Sequence, residues 1–154
     1  MYRSPGSSGQ SMVEFALIAP LLFLLLFGII ELGFMVNIYI GLTNSARDAA
    51  RAGAVYQYTV PGSGDTSTTA IDAQRKLQIS TAISQTLNPL IFPSTLMVTV
   101  SYPTVALATN AYRARDTVVV SLTHDHELFF GILGPQKMTL SATSSMQIEP
   151  GATR

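Results

Sequence analysis

The stretch GQSMVEFALIAPLLFLLLFGIIELG, residues 9–33, decides how the rest of the chain can fold. From Phe15 to Ile30 it carries no charge, with Glu14 just before the run and Glu31 just after it. As a helix, Phe15 to Ile30 measures about 24 Å, slightly less than the roughly 30 Å hydrocarbon core of a bilayer. Continuing through Leu32 to Ile40 gives ample length, provided that Glu31 lies near the interface or finds a partner. A removable secretory signal would need a small-x-small cleavage site directly after a shorter run. Here the run is followed by Glu31-Leu32-Gly33-Phe34-Met35, bulky and still apolar. A helix this long and apolar on all faces would need a larger protein around it to serve as a soluble core. The reading is a membrane segment over about 12–40. Pro20 removes one helix hydrogen bond and is expected to kink the segment, while Gly28 and Gly33 are points where another helix can approach closely.

Composition agrees with a chain divided in this way. Of 154 residues, 47% are hydrophobic and only 12% charged, and the apolar excess is concentrated near the N-terminus. The remainder, roughly 90 residues, suffices for one modest core. With nine basic and nine acidic residues there is no basic excess, and no aromatic-interleaved basic stripe, so nucleic acid is not an expected partner. The absence of cysteine removes disulfides, Cys-based metal sites and a Cys nucleophile.

Outward toward the N-terminus, the run is preceded by the polar leader MYRSPGSSG and then by Gln10-Ser11-Met12-Val13-Glu14-Phe15. Counting Gln10 as +1 makes Gly9 −1 and Glu14 +5. This order resembles a type IV prepilin signal, and with FALIAPLLFLLLFGIIELG behind it the segment is most similar to the TadE-like pseudopilins of tight-adherence (Flp) pilus systems. The resemblance implies that residues 1–9 are a leader cut between Gly9 and Gln10 by a prepilin peptidase on the cytoplasmic face. The helix would stay in the mature protein. Glycine leaves the scissile backbone unhindered, and cutting would create a mostly cationic α-amine on Gln10. Glu14 lies one helical turn away, so it could meet that amine in its own chain or in a neighbouring helix. The competing role for Glu14 is a carboxylate favoured by the helix dipole and wetted by headgroups.

Beyond the membrane, GLTNSARDAARAGAVYQY is rich in alanine, so the spine helix is expected to continue to Tyr56, with Gly53 and the Pro61–Gly64 region supplying the stop. Residues 10–56 would then form one helix and 57–65 a linker. The NSARDAARAGA stretch also resembles the TadE-like pattern, with Arg47 and Arg51 one turn apart beside small residues. They mark either a face for a partner helix or a solvated face of a helix packed on its own domain. Arg47 and Arg51 outnumber Arg3, so counting basic residues alone leans toward a cytoplasmic C-terminal part. The resemblance implies the reverse, a cytoplasmic N-terminus and an extracytoplasmic domain over 66–154.

In that domain Thr66 to Leu87 reads as an amphipathic helix, with Ile71, Leu77, Ile79, Ala82, Ile83 and Leu87 on its apolar positions, Asp65 or Thr66 as cap and Pro89 past the end. LMVTVSY, TVVVSLTH and KMTLSATSSMQIE read as strands. The expected fold is α+β and pilin-like: a long N-terminal spine helix, a second amphipathic helix and an antiparallel sheet of about three strands. Leu128, Phe129, Phe130, Ile132 and Leu133 form an apolar cluster that reads as core-lining turn, with a partner-binding patch as the alternative.

The chemistry-bearing cluster is HDHE, in which a strand would turn His124 and His126 to one face, as paired metal ligands can be. No spacing designates a third ligand, and a strand-end histidine is ordinarily solvated. No nucleophile elbow, oxyanion motif or phosphate loop is present, so no catalysis and no cofactor are expected. The resemblance implies a structural minor pilin or pseudopilin, with a prepilin peptidase, other pilins, an inner-membrane assembly platform and membrane lipid as partners. The alternative is an uncleaved, membrane-tethered extracytoplasmic binding module.

Overall fold

Among the described residues, two helices precede three strands. The computed structural model describes residues 7–55, 60, 62–65, 67–87, 91, 95–103, 116–128 and 137–149. Helix α1 runs Ser7–Ala54 without a break at Pro20, and α2 runs Thr68–Thr86. Strands β1 (Leu96–Ser101), β2 (Thr117–Glu127) and β3 (Lys137–Gln147) form one antiparallel sheet in the order β1-β2-β3. The α+β class and its elements are those expected from the sequence. The apolar cluster around Phe129 and Phe130, the expected helix end at Tyr56, and Pro61 and Pro89 lie outside the described residues.

Period-two alternation on β2 sets the sheet's two faces. Val118, Val120, Leu122 and His124 are buried on the inner face, while Ser121 and Asp125 on the outer face bond to Thr143 and Thr139 across the β2–β3 pair. The inner face meets the second half of α1, where Ile38, Leu42, Ala46, Ala49, Ala50 and Ala54 are buried. Their three- and four-residue spacing keeps them on one side of a 3.6-residue helix. Helix α1 contacts β2, β3 and α2. From residue 31 to residue 54 it extends about 35 Å, close to the length of the 11-residue strand β2.

Three local expectations change. Gly53 does not act as a left-handed stop: positive φ occurs at Gly62 (87°) and Gly64 (67°), whereas Gly53 stays helical. Its missing Cβ serves packing, since a methyl there would sit 2.8 Å from Ile79 Cδ1 and 3.3 Å from Val118 Cγ2. On α2 the N-cap is Ser67, whose Oγ accepts from the Ala70 amide, while Asp65 instead accepts from the Ser67 amide. The buried face of α2 is Ile71, Arg75, Ile79 and Ile83, a four-residue register that leaves Leu77 exposed at 58%. Leu77 lies two residues, about 200° of rotation, from Arg75.

Candidate functional site

Helix α1 has two unlike halves. From Met12 to Ile30 nearly every residue is exposed, including Phe15, Leu17, Leu21, Leu22 and Ile29. Burial begins at Glu31, followed by Ile38, Leu42 and Ser45. The helix is long and apolar enough to cross a membrane. Among the described residues, little of the chain covers this apolar surface. Pro20, Gly28 and Gly33 are all exposed, and a Cβ added at either glycine meets nothing within 4 Å. Their surroundings are therefore open to lipid or to another helix.

At the start of the helix, Gln10 Nε2 donates to Glu14 Oε1 at 3.1 Å, one turn apart and exposed. Gly9, the expected −1 residue, is exposed, and a Cβ added there meets nothing within 4 Å. Glu14 therefore meets the side chain of Gln10 in the intact chain. Arg47 and Arg51 are exposed, pointing away from the buried alanine face that separates them from the sheet. Arg51 in the last turn also complements the negative end of the helix dipole.

The junction between the halves is made by a contact that sequence spacing does not reveal. Glu31 is buried, and His126 Nε2 donates to its Oε1 at 2.9 Å, across 95 positions of chain. His124 and His126 do share a strand face, yet they do different things. His124 is buried and hydrogen-bonded through Nδ1 to Thr95 Oγ1 at 2.9 Å, and the two rings are 6.3 Å apart. Burial lowers the His124 pKa from its ordinary 6.5, with the nearby His126 adding to the shift and Asp125 opposing it. Neither histidine is the solvated strand-end residue expected. Among the described residues no three His, Cys, Asp or Glu side chains group as metal ligands.

Over residues 9–51 the chain matches the family model of TadE-like protein. This N-terminal segment is similar to that family. The match ends inside α1, before the α2 and sheet region begins. No curated protein and no solved structure matches the chain. The TadE-like segment thus contains Gly9, Glu14, the exposed apolar half, Glu31 and both arginines, and it includes the helix face on which the sheet is mounted.

At the far end of α1 the sequence also conceals the role of Arg75. It is fully buried, and its Nη1 donates to the Gly53 carbonyl at 2.6 Å. The Glu149 amide, just past β3, donates to the Ala54 carbonyl. A guanidinium and an amide thereby satisfy carbonyls that a helix C-terminus leaves without intrahelical partners. With Ser45 Oγ donating to the Thr86 carbonyl, α1 is fixed to α2 and β3 in its second half. An arginine on an otherwise apolar helix face carries no periodicity signal, so this role is visible only in three dimensions.

Proposed function

We propose that the chain is a structural minor pilin or pseudopilin of a tight-adherence pilus, cut between Gly9 and Gln10 and held in the membrane by the first half of α1. The observation that carries this reading is where the TadE-like match falls: on the helix whose apolar first half is left uncovered by the chain's own domain. TadE-like proteins are a structural, pilus-associated family, which supports an assembly role over catalysis. The partners in this reading are a prepilin peptidase, other pilins and an inner-membrane assembly platform, with the sheet domain outside the cytoplasm.

Glu14 would recruit the new amine of Gln10. In the intact helix the Gln10 side chain already reaches Glu14, which supports a pairing range of one turn. When the amine belongs to a neighbouring subunit, the pair neutralises both charges among packed apolar helices. Losing one member would leave a buried charge at a cost of about 3–5 kcal/mol.

N-terminal sequencing of protein from native membranes tests the reading. With active peptidase the chain should begin at Gln10, and a chain still starting at Met1 would count against processing and favour a tethered binding module. Glu14→Ala should be cut normally but lose incorporation with partner pilins. Unchanged incorporation would leave Glu14 only its helix-dipole role.

A further inference from the structure

We propose that the end of the sheet where Glu127 of β2 pairs with Lys137 of β3 rests on the lipid surface, with Met138 reaching into the headgroup boundary and the Glu31–His126 bond setting its height. This rests on the reading of the first half of α1 as a membrane span. Residues 12–30 measure about 28 Å as a helix, matching a hydrocarbon core of about 30 Å. Glu31 then lies at the boundary, and its 2.9 Å bond to His126 brings the end of β2 to the same level. Met138 pairs with His126 across the strands on the same sheet face, and it is 47% exposed. Beside it Glu127 and Lys137 form a 3.0 Å ion pair with side chains 73% and 62% exposed. Such a pair is inexpensive in the headgroup layer and costly in hydrocarbon, so it sets this end of the described strands in the headgroup layer. On α1 just above the boundary, Leu32 and Phe34 are exposed as well. An apolar side chain with flanking charges at one level suits an interface, where apolar groups sink about 5–10 Å into the headgroup and acyl boundary.

The chain has no tryptophan, so single-tryptophan variants report without background. The full chain carrying Met138→Trp, Lys137→Trp, Ser145→Trp or Phe23→Trp is reconstituted into phosphatidylcholine–phosphatidylglycerol vesicles, with and without brominated acyl chains. Phe23→Trp reports the span itself. Met138→Trp should lose about half of its emission to the brominated chains or headgroup-proximal quenchers, and Lys137→Trp a smaller part, as expected for immersion of about 5–10 Å. Ser145→Trp, paired with Val119 toward the opposite end of the sheet, should lose almost none. If Phe23→Trp is quenched while Met138→Trp and Lys137→Trp behave like Ser145→Trp, the lipid contact is overturned and the span stands. A Met138→Trp emission shifted to the blue without lipid quenching would also overturn it, because a second protein copy would then cover the site. Failure of Phe23→Trp to respond overturns the span and the contact together.

Discussion

The two halves of α1 share a helix but not an environment. Between residues 12 and 30 the apolar residues are mostly large and surround the axis, and the chain's own domain covers almost none of them. Between residues 31 and 54 the buried positions form one stripe, dominated after Leu42 by serine, alanine and glycine. Large side chains on every face suit a lipid solvent, whereas small ones on one face let a sheet and a second helix approach the helix axis. Hydrophobicity alone therefore does not distinguish the halves. Side-chain size and angular distribution do.

The sharpest way to break that comparison is to cut leucines from both halves. Leu42→Ala, at a fully buried site, should cost about 2–5 kcal/mol of domain stability, read by denaturant titration in detergent micelles. Leu22→Ala, on the exposed half, should leave the same transition in place. Equal losses would mean that the first half also supports the domain fold. Next in size, Gly53→Val drives a side chain into Ile79 and Val118 and should cost about 1–3 kcal/mol, whereas at Gly33 an added Cβ meets nothing within 4 Å, so Gly33→Val should cost much less in the same titration.

At the junction, His126→Ala removes a partner from the buried Glu31 carboxylate, with an expected loss of about 1–3 kcal/mol. Glu31→Gln keeps the shape and a hydrogen-bonding oxygen, so it should lose less. If the alanine variant is as stable as the parent chain, the junction is not held by this bond. The smallest expected effect concerns acid. His124 has a lowered pKa in the fold, so its contribution to stability is present above its ordinary 6.5 and is lost as pH falls through the lowered value. His126 on the same sheet face and Asp125 on the opposite face of its own strand act on it through charge, and Thr95 ahead of β1 bonds its Nδ1. His124→Gln should flatten the fall in midpoint between pH 7 and pH 5 in an acid series, as follows from the position of ordinary histidine titration.

Much of the fold was legible because its signals are local. Residues 15–30 read as a membrane helix from length and lack of charge, and the strands from β-branched alternation that recurs in β2 as buried Val118, Val120 and Leu122. The register of α2 was legible only in part: Ile71, Ile79 and Ile83 are buried as expected, but Arg75 rather than Leu77 joins them. Apolar periodicity has no means of placing an arginine whose burial is compensated by a carbonyl on another helix. Gly53 was misread for a similar reason. Glycine is a common helix stop, and its use for close packing depends on which side chains lie opposite.

By itself the sequence determined the long apolar helix, the position of Gly9 and Glu14 before its uncharged run, and the α+β order, because each depends on composition and on neighbours a few residues away. Tertiary structure alone decided where the free part of the helix ends. Glu31 is a charge within an apolar helix, and nothing within a turn of it on the chain foretells that His126, 95 positions later, is its partner. A buried carboxylate must be bonded, but chain topology chooses with whom.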